Sequence, residues 1–454
     1  GNVVARAGGP VVYDNSVTAL TNRTYNKGLV LDNGTFIYRL GATGVNEQFG
    51  QFQTRWGANV LRIENGSSVN STISFSGAAP AINGGSTLDV QGLIGTANQR
   101  ITFANAPALT AGVLPRVYVN GSDFATIGGN GLAAYTAYFG GTPDQAVAAN
   151  TVRISANTSL SSPTLQWNGL LLDGGVTLDS ASTASGTALT LALPGLLARG
   201  GQSTIGSGLR VGFTGEALVS VAAGASLNVD GQFVAYNMNF TKGLDGDLNF
   251  RAKQRMNLLG NTITLNGGTT RLAAGDNTLF PGTNVAISYG ATLDLQGTSQ
   301  MLGILRSPQA NTDAWTGAGD IVSSTPALLM AVGNASFGGR IGGATGSPIS
   351  FARGGSGNGA VALSLWSEQT YTGPTMVMSG YLQLFEKARL SNTPSIDLNF
   401  GQLRIYKNGS TSRFRIDDMV PDTTPITLRG GTLAFWGRQQ MDDFEEVGDV
   451  ILDS

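Results

Sequence analysis

A pair of short strands joined by a glycine corner recurs near both ends of this chain and limits its fold more than any other feature. Residues 29–38 read LVLDNGTFIY and residues 426–435 read ITLRGGTLAF. The glycine accepts the positive φ of a tight corner, and the flanking residues are mostly good β-formers. A polar loop and a Glu-x-x-Gly step follow at 47–50 and at 445–448. Strands this short bury a core only when similar coils stack above and below them.

The same pattern continues between the two copies. Residues 285–305 contain a third, partial copy, and residues 362–384 alternate strand and corner in the order ALSLWSEQTYTGPTMVMSGYLQL. Alternation within each strand places one set of side chains inward and the other in solvent. We therefore predict an all-β chain, a parallel β-helix (β-solenoid) with flank loops and little helix. With roughly 20 residues per coil and a rise of about 4.8 Å, it would form about 20 coils in a rod on the order of 100 Å long.

The spacing of predicted strands and glycine corners divides the chain into four predicted segments. Residues 1–100 and 151–425 are interpreted as solenoid coils, and 426–454 as the start of a further repeat unit or a segment that contacts another subunit. Residues 101–150 interrupt the pattern and are interpreted as an excursion packed on the solenoid. Its aromatic residues could fix a loop to the coils, line a ligand groove, or contact another chain. They are Tyr118, Phe124, Tyr135, Tyr138 and Phe139, and the prolines are Pro107 and Pro115.

The chain has no cysteine and no histidine, which narrows its chemistry. Disulfides, a thiol nucleophile, the commonest general base and the usual zinc ligands are all excluded. The net charge of −2 gives no electrostatic reason to expect nucleic acid as a partner. No run of about 18 apolar residues occurs, so we expect no membrane-spanning helix. The first residues show no signal-peptide pattern, which fits a mature, trimmed or internal fragment. We predict a protein that is not an enzyme.

Several motifs in the C-terminal third occur in a characteristic order. Residues 335–341 read ASFGGRI, residues 369–373 read QTYTG, residues 375–377 read TMV, and Gly380 precedes the strand YLQL. In this order they resemble the bacterial autotransporter-associated β-strand repeat proteins, surface or secreted proteins that include giant proteins of planctomycete and verrucomicrobial type. The resemblance implies a right-handed β-solenoid, an extracellular or bacterial cell-surface location, and a structural or adhesive role. It implies no catalytic residues.

Acidic pairs are the candidates for metal binding or catalysis. Asp245 and Asp247 flank Gly246, which is typical of a turn and is also compatible with Ca²⁺, the single cofactor that the sequence leaves open. Asp417 and Asp418 lie near arginines, which favours local ion pairs. The acidic residues of 442–446 are interpreted as a solvated loop, with a Ca²⁺ or interface contact and a catalytic pair as alternatives.

Tryptophan side chains are candidates for stacking on sugars or for contacts between chains. Packing in the core or at coil corners is the plainer alternative. The tryptophans are Trp56, Trp167, Trp315, Trp366 and Trp436.

The last copy of the strand pair begins a unit that the first copy continues into another strand. An open coil edge at that point would invite strand addition, so the sequence predicts either a tandem array or a polymerisation surface. The predicted contact residues are Glu445, Glu446, Val447 and Leu452 in the last coil, and Val3, Val4 and Tyr13 in the first coil.

These observations predict an extracellular structural protein. We expect a solenoid rod of a cell-surface fibre, filament or adhesin, whose partner is the protein itself, either end to end or as tandem repeats. The alternatives are an adhesin that binds surface glycans and a carbohydrate-active β-helix enzyme. The enzyme would need outward carboxylates within about 10 Å of each other on one face.

Overall fold

The computed structural model describes residues 1–64, 69–181, 186–256, 260–308, 318–355, 361–385, 387–407, 418–437 and 443–453. Strands account for 52% of the chain and helix for 1%, and parallel stacked sheets form a β-solenoid of about 17 turns. The predicted all-β solenoid fold is therefore confirmed. The number of turns falls below the expected 20 or so because several coils carry long loops, such as residues 15–28.

The described strands are short, as the spacing of the glycine corners predicts. Those that begin before residue 250 are Val3–Arg6, Val11–Asp14, Leu29–Asp32, Thr35–Arg39, Asn46–Phe49, Phe52–Thr54, Gly57–Glu64, Ser71–Phe75, Ala81–Ile82, Ser86–Gln91, Gln99–Phe103, Leu114–Val119, Asp123–Gly128, Gly131–Ala134, Thr151–Ile154, Thr158–Leu160, Thr164–Asp173, Thr177–Ser180, Thr187–Arg199, Gln202–Ile205, Leu209–Phe213, Ala217–Val221, Ser226–Val229, Gln232–Val234, Phe240–Gly243 and Asp247–Phe250.

The remaining strands are Thr262–Leu265, Gly268–Leu272, Thr283–Ile287, Ala291–Asp294, Ser299–Arg306, Asp320–Val322, Ala327–Ala331, Ala335–Phe337, Arg340–Ile341, Ile349–Arg353, Ala362–Leu365, Glu368–Gln369, Thr375–Val377, Tyr381–Phe385, Arg389–Leu390, Ile396–Asn399, Gln402–Tyr406, Ile426–Arg429, Thr432–Trp436 and Val450–Leu452. A 3₁₀ turn, Pro143–Gln145, is the helical element of the described residues. Within those residues, none of the helical structure has the length and apolar character of a membrane span.

The chain forms two compact units. One comprises Gly1–Asn249 with Asn266–Gly268, and the other comprises Phe250–Leu265 with Thr269–Ser454. The segment boundaries predicted at residues 100, 150 and 425 do not coincide with this division.

Residues 3–134 of the first unit, which we call the N-terminal stack, form a small solenoid with a core of their own. Its strands pair in parallel and in register, so that Val3 lies beside Leu29 and Leu29 beside Phe52. A column of aromatic rings fills the interior, with Phe36 and Phe49 5.5 Å apart and Phe49 and Phe75 5.6 Å apart. Stacked rings of this kind add directional contacts to the burial of apolar surface.

The N-terminal stack ends in antiparallel pairing. Leu114–Val119 lies parallel to Ser86–Gln91, and Gly131–Ala134 lies parallel to Gln99–Phe103. Asp123–Gly128 runs antiparallel to both of these added strands and so joins two faces of the stack. Within the segment 101–150, turns after residues 119 and 128 fold the chain back as sheet.

Residues 151–249 of the first unit form a second stack, which packs against the N-terminal one. Tyr118, Phe124 and Tyr135 share an apolar cluster with Leu171 and Leu197. Hydrogen bonds and ion pairs lie around this apolar cluster. Ser220 Oγ donates to Tyr118 OH at 2.5 Å, Arg116 Nε donates to Glu216 Oε2 at 2.8 Å, and Arg199 pairs with Asp123.

In the second unit, one inward column runs through successive coils of the largest sheet. Its members lie beside one another in parallel register, and all but the last are buried. The column is Leu329, Phe351, Thr375, Ile396, Ile426 and Val450. A second face carries Leu365, Leu384, Ile405 and Phe435 in the same way.

The corner glycines of the two sequence copies have a different role from the one expected. The positive φ belongs to the preceding residue, 55° at Asn33 and 70° at Gly430. Gly34 and Gly431 follow, and a Cβ at either position would collide with a backbone carbonyl of the preceding coil, that of Ala5 or Leu398. The second residue of the corner must be glycine because neighbouring coils approach each other closely there.

Candidate functional site

The inward column of the second unit ends on an exposed strand. Val450–Leu452 pairs in parallel with Ile426–Arg429, and Ile426 is fully buried. Val450 is 47% exposed and Leu452 is 81% exposed, although both occupy the inward positions of the alternation. Core-type side chains therefore face solvent along this strand, which we call the terminal edge (residues 450–453).

The second face of the same coil is open in the same way. Phe435 stands in register with Ile405, which is 1% exposed, yet Phe435 itself is 42% exposed. Trp436 beside it is 43% exposed, and Phe444 in the following loop is 58% exposed. Exposed apolar side chains grouped on one edge are typical of a contact surface.

Glu445 fixes the corner of this last coil. Its Oε1 accepts hydrogen bonds from the backbone N–H of Met419 at 2.6 Å and of Val420 at 2.8 Å, one coil earlier. Its Oε2 lies 2.9 Å from Lys407 Nζ, and both side chains are almost completely buried. This oxygen and the ammonium form an ion pair rather than an aligned hydrogen bond, since Nζ donates to Phe444 O at 2.7 Å.

The predicted contact residues of the last coil fall into two groups. Leu452 lies on the terminal edge, and Glu446 is exposed in the loop that leads to it. Val447 is half-buried in the same loop, and Glu445 points into the coil corner, where it holds the preceding coil instead of facing a partner. A direct contact role for Glu445 stays a prediction, and its observed partners are all within its own chain.

The predicted contact residues of the first coil lie on an outer strand pair. Val3 and Val4 are half-buried in Val3–Arg6, whose described partner strand is Leu29–Asp32. The Tyr13 ring packs edge-on against Phe36, with 5.0 Å between centroids. Burial, together with the carboxylate of Glu47, raises the pKa of Tyr13 above its ordinary value.

The candidate Ca²⁺ corner at Asp245 and Asp247 surrounds the ammonium group of the chain's own Lys242. Lys242 is fully buried, and its Nζ donates to Leu244 O and Gly246 O at 2.6 Å each, and to Gly267 O. Three carbonyl oxygens are the kind of ligands that Ca²⁺ would use. Burial lowers the pKa of Lys242 to about 7, and the two aspartates act in the opposite direction. The Ca²⁺ site stays a prediction, and a cationic side chain holds these three oxygens.

In the second unit, the buried side chain of Arg353 likewise donates hydrogen bonds to backbone carbonyl oxygens. Its side chain is fully buried, and its guanidinium donates to Ala331 O at 2.8 Å and to Val361 O at 3.0 Å. Nε donates to Tyr381 O at 3.3 Å, and Nη1 also donates to Gly354 O. Burial lowers the pKa of Arg353 to about 10. Each of these cations thus ties together backbone carbonyls from more than one coil.

The other acidic candidates are only partly described by the structure. Asp417 and Asp442 lie outside the described residues. Asp418 lies 3.6 Å from Arg389, whereas the neighbouring arginines that the sequence favoured as partners, Arg413 and Arg415, lie outside the described residues. Among the residues that the structure describes, no group of three His, Cys, Asp or Glu side chains could hold a metal ion.

The tryptophans fall into three environments. Trp167 is buried, Trp56 is 42% exposed, and Trp315 lies outside the described residues. Trp366 and Trp436 belong to a column of stacked aromatic rings on the outer side of the second unit. Ring centroids lie 4.7 Å apart for Trp366–Phe385, 4.5 Å for Phe385–Tyr406 and 5.1 Å for Tyr406–Trp436. Trp366 and Phe385 stack face to face, whereas the other two pairs are tilted, and sugar stacking stays a prediction.

Sequence reasoning missed both buried cations. A Lys or Arg in an alternating strand normally marks the outward side. The available signal was local, because each cation is followed at once by glycine, in Lys242-Gly243 and Arg353-Gly354-Gly355. A cation next to a glycine corner can turn into the corner and reach its carbonyl groups.

Comparison of the chain with protein-family models, with curated proteins and with solved structures found no match. The resemblance to the autotransporter-associated repeat proteins therefore stays a prediction, and the structure supports its coarser part, a repeat protein with a β-solenoid fold.

Proposed function

We propose that this protein is an extracellular structural protein whose solenoid coils continue from one copy to the next, so that copies join into a surface fibre or filament. One observation carries the proposal. Val450, at an inward position of the terminal edge, is 47% exposed, whereas the column to which it belongs is buried up to its neighbour Ile426.

A parallel strand with apolar inward side chains and an exposed edge is a template for a further strand. A strand added to the terminal edge would bury Val450 and Leu452, each of which is more than two-fifths exposed. Burying an aliphatic or aromatic side chain completely contributes about 1.5–3 kcal/mol. A contact between different ends of identical copies is heterologous, so it leads to rings or to open filaments.

The extracellular location rests on sequence arguments alone. The chain contains no thiol that an oxidising environment could alter, and its motifs resemble those of secreted repeat proteins.

The test is the association state of the full chain and of Leu452→Asp. Sedimentation velocity and negative-stain electron microscopy should show concentration-dependent oligomers for the wild type. They should show mainly monomers for the variant, because an aspartate would place a charge in the new interface. The side chain is exposed, so the substitution should leave the fold and its circular dichroism unchanged.

Val147→Asp is the matched control. Val147 is also exposed, at 61%, but lies in a loop far in sequence from either predicted contact. It should assemble like the wild type. A wild-type chain that stays monomeric at every concentration tested would overturn the proposal.

A further inference from the structure

One outward surface of the second unit carries aromatic and polar side chains in rows. Four strands lie side by side there in parallel register: Ala362–Leu365, Tyr381–Phe385, Gln402–Tyr406 and Thr432–Trp436. Because the side chains of a strand alternate, the outward ones line up from coil to coil, and we call this surface the outer platform. Its three rows are Ala362, Tyr381, Gln402 and Thr432; Ser364, Gln383, Arg404 and Ala434; and Trp366, Phe385, Tyr406 and Trp436.

The aromatic row of the outer platform offers one ring per coil. Ring centroids lie 4.7, 4.5 and 5.1 Å apart along the row. Trp366, Phe385 and Tyr406 are half-buried at outward positions, so solvent reaches part of each ring. Since Trp366 and Phe385 stack face to face, a ligand meets their outer edges. The edge of an aromatic ring carries partial positive charge, so the row favours a ligand that is rich in oxygen atoms.

Planar polar side chains lie beside the aromatic row. Ser364 Oγ donates to Gln383 Oε1 at 3.0 Å, and Arg404 Nε donates to Gln402 Oε1. Ligand sites commonly combine aromatic rings with a few polar groups that fix the orientation of the ligand. A sugar ring suits this combination, because its C–H groups pack on apolar surface while its hydroxyl groups form hydrogen bonds.

Arg404 supplies the charge of the outer platform. Its guanidinium carbon lies 3.4 Å from the centroid of the Tyr381 ring and 5.1 Å from that of the Trp436 ring. Gln402 engages Nε, whereas the two terminal nitrogens have no hydrogen-bond acceptor, and no carboxylate pairs with them, within the part of the chain that the structure describes. The guanidinium is therefore held in place with its outer donors available.

Arg340, on another sheet of the same unit, shows the more usual arrangement. Its guanidinium donates two hydrogen bonds to the carboxylate of Asp320, at 2.9 and 2.8 Å. The planar fork of an arginine matches a carboxylate in this way with two parallel hydrogen bonds. The available donors of Arg404 fit the same group, supplied by a ligand instead of by the chain.

We infer that the outer platform binds an acidic linear glycan, a chain of sugar rings that bear carboxylate groups, lying along the direction in which the coils stack. Neighbouring strands are about 4.8 Å apart, and the sugar rings of a linear glycan recur at a similar distance, so each coil can contact one sugar. One carboxylate accepts hydrogen bonds from the terminal nitrogens of Arg404. The platform lies within a single chain, so this binding does not depend on copies joining.

Binding of polygalacturonate and of alginate to the full-length protein tests the inference. Calorimetric titration at low salt should show binding of at least one of these acidic glycans, and added salt should weaken it. The methyl ester of polygalacturonate has the same backbone without the charges. It should bind about tenfold more weakly or less, because it offers Arg404 no carboxylate.

Variants of Arg404 separate the platform from other cationic surfaces. Arg404→Met keeps the apolar stem and should weaken binding of the acidic glycan by about tenfold or more. Arg404→Lys should recover part of the loss, since an ammonium keeps the charge without the planar fork. Arg340→Met is the matched control and should bind like the wild type. Circular dichroism of each variant should match that of the wild type, because both arginines are half-exposed.

Three results would overturn the inference. The first is a wild-type protein that binds neither acidic glycan. The second is equal binding of polygalacturonate and its methyl ester, which would show that carboxylates are not recognised. The third is equal affinity of Arg404→Met and the wild type for the acidic glycan, which would place the binding outside the outer platform.

Discussion

Glu47 and Glu445 make the same contact in two coils near opposite ends of the sequence. Glu47 is fully buried, and its carboxylate accepts from the backbone N–H of Thr24 at 3.0 Å and of Arg23 at 3.2 Å. Glu445 accepts from the backbone N–H of Met419 and Val420. In both coils, one carboxylate satisfies two consecutive backbone donors of the preceding coil. The Glu-x-x-Gly step of the sequence is therefore a device that joins coils.

The first prediction concerns the two backbone donors that the Glu47 carboxylate satisfies. Glu47→Ala should destabilise its coil by about 1–3 kcal/mol, because the N–H groups of Arg23 and Thr24 lose their acceptor in a buried position. Glu47→Gln should cost less, since its amide oxygen can accept one of the two bonds. Hydrogen–deuterium exchange of the Arg23 and Thr24 amides measures the local loss, and urea unfolding measures the total.

Glu446→Ala is the control, because Glu446 is exposed and should leave stability within about 0.5 kcal/mol. If Glu47→Ala leaves the exchange of both amides unchanged, the contact does not hold the coil.

The sequence predicted the coils well and their endings poorly. Alternating residues and glycine corners are local signals, so the strands at 29–39 and 426–436 could be read directly. The antiparallel strand Asp123–Gly128 depends on which distant strands lie beside it, which alternation does not encode. The close approach that requires Gly34 is likewise set by Ala5, from the coil before.

The candidate site shows the same limit. Leu452 and Glu446 are exposed on or near the last strand, and their role as contact residues stays a prediction. Lys242 and Arg353 could not be placed, because their burial depends on carbonyl groups gathered from several coil corners. Folding brings those groups together, and the glycine after each cation is the local signal of a corner, without identifying the carbonyl groups.

The second prediction concerns pH. Burial lowers the pKa of Lys242 from its ordinary value of 10.5 to about 7, against the opposing effect of Asp245 and Asp247. Between these pH values the unfolded chain binds a proton that the folded chain does not. Stability therefore rises with pH across this window, by up to about 1.4 kcal/mol per unit, and this gain is absent below pH 7.

Urea unfolding of the wild type and of Lys242→Met between pH 7 and 9.5 measures this effect. The window stops below the range in which tyrosines titrate, since burial raises the pKa of Tyr118 and would reverse the slope. Lys242→Met should remove the slope, because methionine has no proton to bind or release, and it also removes the donor of these carbonyl groups. An equal slope in both proteins would show that Lys242 keeps its proton when folded.

The third prediction concerns Arg353, whose guanidinium is held by backbone carbonyls on coils before and after its own. Arg353→Met fills similar volume but removes the guanidinium donors, so that Ala331 O and Val361 O keep only their backbone donors, and we expect a loss of about 3 kcal/mol. Arg353→Lys should recover only part of it, because one ammonium cannot reach all the oxygens that the planar guanidinium spans. Thermal unfolding, and hydrogen–deuterium exchange of the backbone amides in the coils of Val361 and Tyr381, measure the loss.

Arg340→Met is the control, because it breaks a half-exposed pair with Asp320 and should cost less than about 1 kcal/mol. Equal losses at both positions would mean that Arg353 contributes no more than a surface ion pair.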